Sequence, residues 1–92
     1  MASTNYFISY DLNSPGQDYN KIAKAIAALG FSIRAQKSLF YLRSSYTQEE
    51  VFKAVGAAMD RNDSLLVISA SNATMINLLP GAQDFILKHW HA

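Results

Sequence analysis

The chain of 92 residues contains no cysteine, few charged residues and no long apolar run, and each of these absences excludes a class of protein. Without cysteine it can form neither disulfide bonds nor thiolate zinc sites. No apolar run approaches the roughly 20 residues of a transmembrane helix, so we expect no membrane partner. A formal charge of +1 gives no overall electrostatic argument for binding nucleic acid. Residues 1–4 lead directly into a predicted strand, so we expect no signal peptide and a cytoplasmic location.

The composition is that of one small globular domain spanning residues 1–92. Hydrophobic residues make up 50% of the chain and charged residues only 16%. A chain of this length buries only about 60–65% of the surface that it exposes when unfolded. Any large apolar face that its own elements leave uncovered is therefore available to a partner.

Four segments have the alternating or continuous apolar pattern of β-strands. Their ranges are Asn5–Asp11, Phe31–Ala35, Ser38–Arg43 and Leu65–Ser69. The last of them is almost entirely apolar, which predicts a strand that is covered on both faces.

Helical spacing and capping signals predict two helices between these strands and a third after them. Ser14–Gln17 and Thr47–Glu50 have the sequence of capping boxes. Gly30 is predicted to end the first helix in the left-handed conformation. In the C-terminal extension, residues 72–92, a helix is predicted to follow Pro80 with its apolar residues on one side.

The order of these elements predicts an α+β fold, the ferredoxin-like βαββαβ arrangement, over residues 5–71. Two right-handed crossovers place both helices on one face of a four-stranded antiparallel sheet. Both sheet faces carry large apolar side chains, so the C-terminal helix, a second subunit or both must cover the other face. We expect a homodimer. Its predicted interface consists of five aromatic residues: Phe7, Phe40, Tyr41, Phe85 and Trp90.

Two short motifs suggest a family. The first strand ends in Tyr10–Asp11, and Gln36–Phe40 at the start of the third has the pattern Q-x-S-x-F. Together they resemble the CRISPR-associated protein 2 family, its stand-alone SinR-like relatives and, more distantly, the virulence-associated protein D ribonucleases. The resemblance implies a dimer joined through its sheets that binds nucleic acid. It implies either a metal-dependent endonuclease or endoribonuclease, or a non-catalytic scaffold on DNA. Family members commonly end in a further strand, whereas this chain ends in a helix, which favours the stand-alone relatives.

By position, Asp11 corresponds to the family's first-strand acid, which implies a catalytic residue that binds Mg²⁺ or Mn²⁺. One carboxylate cannot assemble a hydrolytic metal site by itself. A symmetric dimer would supply a second copy of Asp11 near the two-fold axis. The alternative interpretation is that Asp11 caps the turn at residues 12–16 by accepting hydrogen bonds from backbone amides.

Three cations lie in a stretch without acidic residues: Arg34, Lys37 and Arg43. They would neutralise phosphates beside such a site, or they belong to a solvated hairpin. Ser38 would donate a hydrogen bond to a phosphate, or it bonds within the hairpin.

Tyrosines and histidines offer further candidates. Tyr6, Tyr10 and Tyr41 would stack on bases, although packing is the commoner role of tyrosine in strands. His89 and His91 are two residues apart, which does not place both rings on one side of a helix, so we interpret them as part of a frayed tail.

Two functions follow from these patterns. The first is a nucleic-acid-binding protein that cleaves its substrate with a divalent metal ion at Asp11. The second is a non-catalytic homodimeric interaction module of the same fold, which uses its sheet face and its C-terminal helix.

Overall fold

A computed structural model of the chain describes residues 2–12 and 19–92. It contains the predicted elements in the predicted order. They are β1 (Thr4–Asp11), α1 (Tyr19–Ala27), β2 (Phe31–Gln36), β3 (Leu39–Ser44), α2 (Gln48–Gly56), β4 (Ser64–Ala70) and α3 (Ala82–His89). The capping box predicted at Ser14–Gln17 lies outside the described residues. None of the helices in the described part is long and apolar enough to cross a membrane.

The four strands form one antiparallel sheet in the order β2-β3-β1-β4. The two central strands, β1 and β3, are adjacent although α1 and β2 separate them in the chain. Together with the helices, this order confirms the predicted ferredoxin-like fold with an added C-terminal helix. It also makes β2 and β4 the edges of the sheet.

The first core lies between the sheet and the helices α1 and α2. The alternation along β1 directs Tyr6, Ile8 and Tyr10 into this core, where each is almost fully buried. Ile22 and Ile26 of α1 and two valines of α2 complete it, because helical spacing places them on the sides that face the sheet.

The ends of the helices show one confirmed prediction and one correction. Thr47 and Glu50 form the predicted capping box: the Glu50 amide donates to Thr47 Oγ1 at 3.2 Å, and the Thr47 amide donates to Glu50 Oε1 at 2.8 Å. The prediction for Gly30 is wrong, since the positive-φ residues among those described are Asn77 and Gly81. Gly30 is needed for a different reason, because a Cβ there would collide with the carbonyl oxygen of Arg43 on β3.

The second core lies on the opposite face, where α3 packs against the β2–β3 half of the sheet. Ala82 and Ile86 of α3 are fully buried there against Ala35 and Tyr41. Phe85 and Trp90 pack around the same cluster, as do Phe7 and Ile33 of the sheet. The C-terminal helix, one of the alternatives expected from the sequence, therefore covers this half of the opposite face.

This packing changes the meaning of the predicted interface residues. Tyr41 is fully buried beneath α3, and Phe40 is 7% exposed in the first core. Phe85 and Trp90 are half-buried because they already contact the chain's own sheet. Tyr41 and Phe40 are therefore closed to a second subunit in this conformation. Phe7 is half-buried, contacts Trp90 with 6.2 Å between ring centroids, and pairs in register with Ile68 of β4.

Candidate functional site

Four of the five residues predicted to bind metal or nucleic acid lie at one end of the sheet. The Tyr10 amide donates to the carbonyl oxygen of Ser38 at 3.1 Å, so the end of β1 adjoins the β2–β3 turn. This brings Asp11, Arg34, Lys37 and Ser38 to the same end, which we call the turn end of the sheet.

Asp11 is exposed at the turn end and is paired in register with Ser64, the first residue of β4. Because side chains alternate along β1, its carboxylate is directed to the face opposite Tyr10. Within residues 2–12 and 19–92, no three histidine or acidic side chains come together in a way that could hold a metal ion. The alternative role of Asp11, capping residues 12–16, falls mostly outside the described residues.

Arg34 is fixed by the turn that follows it. Its Nε and one terminal nitrogen donate to the carbonyl oxygen of Lys37 at 3.0 and 2.7 Å. The hydroxyl of Tyr10 contacts the same oxygen at 3.4 Å. These bonds hold the guanidinium plane at the turn end, while Lys37 itself is exposed and Ser38 is half-buried.

Arg43 lies at the other end of the sheet, so the predicted basic strip is wrong as a continuous surface. Arg43 lies four residues beyond Leu39 along β3, a rise of about 13 Å, and Lys37 lies in the turn before Leu39. Its guanidinium donates to the backbone oxygen of Ala92 at 3.1 and 2.9 Å, on the face that α3 covers. Arg34 instead pairs in register with Phe40, whose side chain enters the first core. The two arginines therefore lie on opposite faces of the sheet.

An aromatic cleft at the turn end is the feature that the sequence did not indicate. It has a volume of about 270 Å³ and lies between the start of α1 and strands β1, β2 and β3. We call it the aromatic cleft. Its lining is Tyr10, Tyr19, Asn20, Ala23, Arg34 and Phe40. Tyr19 was missed because it appears in the sequence only as one apolar position of an amphipathic helix.

Electrostatics inside this cleft are set by Tyr10 and Arg34. Burial raises the pKa of the Tyr10 hydroxyl, and the nearby Arg34 charge partly opposes that rise. Tyr10 is therefore neutral at physiological pH, and Arg34 gives the cleft a positive charge.

The other two candidate stacking tyrosines serve the cores. The Tyr6 hydroxyl donates to the carbonyl oxygen of Tyr46 at 2.8 Å, and the ring is 2% exposed. The Tyr41 hydroxyl donates to Asn5 Oδ1 at 2.6 Å beneath α3. Neither ring is open to a base, which favours the packing alternative for both.

The C-terminal histidines are separated, and the tail is held rather than frayed. His89 stacks on Phe31 at 4.4 Å between ring centroids and contacts Phe85 at 4.3 Å. Asn5 Nδ2 donates to the Trp90 carbonyl oxygen at 3.0 Å, which fixes the end of α3 to β1. His91 is exposed beyond it.

The outward side of β4 is the largest departure from the predictions. The strand was predicted to be covered on both faces, but it is an edge strand covered on one. Ser64, Leu66, Ile68 and Ala70 point away from α1 and α2, and we call them the β4 outer face. Leu66 is 57% exposed and Ile68 43% exposed. This surface carries no charge.

Comparison with known proteins does not assign a family. No protein family model matches this chain, and no curated protein matches it. The likeness to CRISPR-associated protein 2 thus depends on the motifs Tyr10–Asp11 and Gln36–Phe40, and the metal and nuclease roles stay predictions.

Proposed function

We propose that this chain is a protein-interaction module that self-associates through the β4 outer face. The observation that carries this proposal is the exposure of Leu66 and Ile68 on an uncharged edge strand. Natural proteins commonly protect sheet edges with charged side chains, proline or bulges. The strand β4 contains no charged residue and no proline. Its register with β1 runs without a shift from Asn5↔Ala70 to Asp11↔Ser64, so it has no bulge either.

Packing through the face of β4 is favoured over pairing through its backbone edge. The Gln48 side-chain amide donates to the Val67 carbonyl oxygen at 2.9 Å. Backbone N–H and C=O groups alternate in direction along a strand. Because the Tyr10 amide points toward β3, the residue of β1 that pairs with Val67 also directs its backbone groups toward β3. The backbone groups of Val67 therefore lie on the free side of β4. The start of α2 thus occupies the middle of the free edge. Leu66 and Ile68 of the β4 outer face remain exposed.

A second copy of this chain is the partner that best fits the surface. Two copies can place the β4 outer face against itself about a two-fold axis, and the four β4 side chains that meet there carry no charge. Phe7, which pairs in register with Ile68, extends the apolar surface toward the sheet centre. Because α3 already covers the β2–β3 half, the shared area is small, and we expect a weak, concentration-dependent dimer.

Sedimentation equilibrium over a wide range of protein concentration tests this proposal. The charge-bearing variants Leu66→Lys and Ile68→Lys should weaken self-association by at least about tenfold while leaving the circular dichroism spectrum unchanged. Leu87→Lys is the matched control, because Leu87 is 60% exposed on α3 and lies outside the β4 outer face. A parent protein that stays monomeric at millimolar concentration contradicts the proposal.

Nucleic-acid binding at the turn end is a second candidate function. The observation that favours it is the gathering of Arg34, Lys37 and Ser38 beside Asp11, two cations and a hydroxyl that suit phosphate oxygens. Arg43 is excluded from this surface by its position at the opposite end.

Fluorescence anisotropy with single-stranded RNA and double-stranded DNA tests this second candidate. The double variant Arg34→Gln/Lys37→Gln should weaken binding and reduce its salt dependence, because fewer counterions are released. Arg43→Gln should change neither property. Cleavage with Mg²⁺ or Mn²⁺ is compared between the parent and Asp11→Asn, and equal cleavage by both removes Asp11 from a catalytic role.

A further inference from the structure

The walls of the aromatic cleft have an arrangement that leaves room for a further ring. Tyr10 and Phe40 are 3% and 7% exposed, with centroids 6.0 Å apart, so they form a packed floor. Tyr19 is 45% exposed, and its ring plane makes an angle of 56° with that of Tyr10 at 5.9 Å. At that distance and angle the two rings contact each other directly, so a further ring cannot enter between them. Because Tyr19 is exposed, a planar ring that entered the cleft would stack on the part of Tyr19 that does not contact Tyr10.

The positive charge at the cleft is already oriented. Two N–H groups of Arg34 are held by the Lys37 carbonyl oxygen, and a guanidinium has five N–H donors in all. A fixed guanidinium loses little side-chain entropy when it binds a phosphate or carboxylate. Lys37 adds an exposed ammonium group at the same turn. Asp11 does not oppose these charges inside the cleft, because its carboxylate is directed to the other sheet face.

The dimensions of the cleft limit its ligand to a small one. Pockets for drug-sized ligands have volumes of about 300–1,000 Å³. The aromatic cleft, at about 270 Å³, falls just below that range. It accommodates a single aromatic base better than two.

From these observations we infer that the aromatic cleft binds a nucleoside monophosphate, either free or as one unit of a single strand. The base stacks on Tyr19 above the floor formed by Tyr10 and Phe40, and the phosphate meets Arg34. The inference does not depend on self-association. It deepens the second candidate function if the nucleotide belongs to a strand.

Amide chemical-shift perturbation of the ¹⁵N-labelled full chain tests the inference. The probes are adenosine monophosphate, uridine monophosphate, adenosine without its phosphate, and a short single-stranded RNA. We expect both monophosphates to shift amides around Tyr10, Tyr19 and Arg34. Adenosine should bind at least about fivefold more weakly, since it lacks the anionic phosphate group that accepts a charge-assisted hydrogen bond.

Two variants with matched controls separate stacking from charge. Tyr19→Ala should weaken binding of the monophosphate about fivefold or more, the range that base stacking supplies. Tyr46→Ala is its control, because Tyr46 is 46% exposed and lies outside the cleft. Arg34→Gln should weaken the monophosphate but leave adenosine unchanged, and Arg61→Gln, at an exposed position, should affect neither.

The RNA distinguishes the two sources of the ligand. Stronger binding of RNA than of the monophosphate, with the same amides shifted, identifies a base within a strand, and the reverse order identifies a free nucleotide. Either outcome supports the inference. It is overturned if millimolar monophosphate leaves the cleft amides unshifted, if adenosine binds as well as its monophosphate, or if RNA binds at the turn without shifting the cleft. The last result would leave nucleic-acid binding intact and remove only the cleft.

Discussion

Replacing Asn5 by alanine should loosen the attachment of the C-terminal helix to the sheet. Asn5 is 5% exposed and joins two elements: its Oδ1 accepts from the Tyr41 hydroxyl at 2.6 Å, and its Nδ2 donates to the Trp90 carbonyl oxygen at 3.0 Å. The variant leaves the fully buried Tyr41 hydroxyl without this acceptor. It also removes the bond that fixes the end of α3 to β1.

The expected loss of stability follows from these two bonds. A buried hydroxyl left without a partner costs about 1–3 kcal/mol, and loss of the partly buried bond to Trp90 costs about 0.5–1.5 kcal/mol. We therefore expect Asn5→Ala to lower the free energy of unfolding by about 2–4 kcal/mol. A chain of this size has only about 5–14 kcal/mol in total. With a urea m-value of about 1–1.5 kcal/mol/M, the unfolding midpoint falls by about 1.3–4 M.

Urea titration followed by tryptophan fluorescence is the direct assay, because Trp90 is the one tryptophan of the chain and lies at the end of α3. A double-mutant cycle with Tyr41→Phe isolates the shared bond. The double variant should lose less stability than the sum of the single variants by about 1 kcal/mol or more. Asn72→Ala, at an exposed asparagine, is the control and should stay within about 0.5 kcal/mol of the parent. Additivity within about 0.3–0.5 kcal/mol would refute the argument that these side chains depend on each other.

Three further outcomes are expected. Gly30→Ala should destabilise the fold by about 1–3 kcal/mol in urea titration, because the new Cβ meets the Arg43 carbonyl oxygen and the backbone must move; an unchanged midpoint contradicts the close approach. Thr47→Ala should cost about 1 kcal/mol through loss of the capping box, whereas Thr47→Ser should cost much less, and equal losses would show that the hydroxyl is unimportant. Burial raises the pKa of the Tyr41 hydroxyl above its ordinary value of 10.0, so the folded state binds more protons than the unfolded state above that pH. Its contribution to stability is then complete below pH 10.0 and is lost as the pH rises through the folded-state pKa; thermal melts of Tyr41→Phe should show a smaller alkaline loss than the parent.

The candidate site shows where prediction from residue patterns reached its limit. Lys37 and Ser38 lie in the turn of the predicted β2–β3 hairpin, and the end of β1, where Asp11 lies, adjoins that turn. The binding roles of these residues stay predictions. Arg43 was assigned to the same surface because it is close in sequence, but an extended strand carries it to the opposite end of the sheet. Tyr19 was missed because its exposure depends on where α1 begins relative to β1, which no local pattern records.

The dimer prediction shows the same limit. Both faces of β1 and β3 carry large apolar side chains, and from that pattern a second covering layer was a sound expectation. Which element forms this covering layer depends on the path of residues 72–92. The packing of Ile86 and Trp90 against Tyr41 shows that the chain's own C-terminal helix forms it. The exposed apolar side chains of the sheet are therefore Leu66 and Ile68 of β4, and not the aromatic residues of β3.

The sequence by itself determined the elements of this protein, because hydrophobic period and capping chemistry act between residues that are neighbours along the chain. Thr47–Glu50 begins a helix and the alternation of β1 separates two faces wherever these segments lie. The order of the elements also predicted the ferredoxin-like sheet, whereas only the tertiary structure decided that Leu66 and Ile68 of β4 stay exposed and which half of the second face α3 covers. Those outcomes depend on contacts between residues far apart in the chain. Such contacts form only when all the elements pack on the same sheet, so no local pattern predicts them.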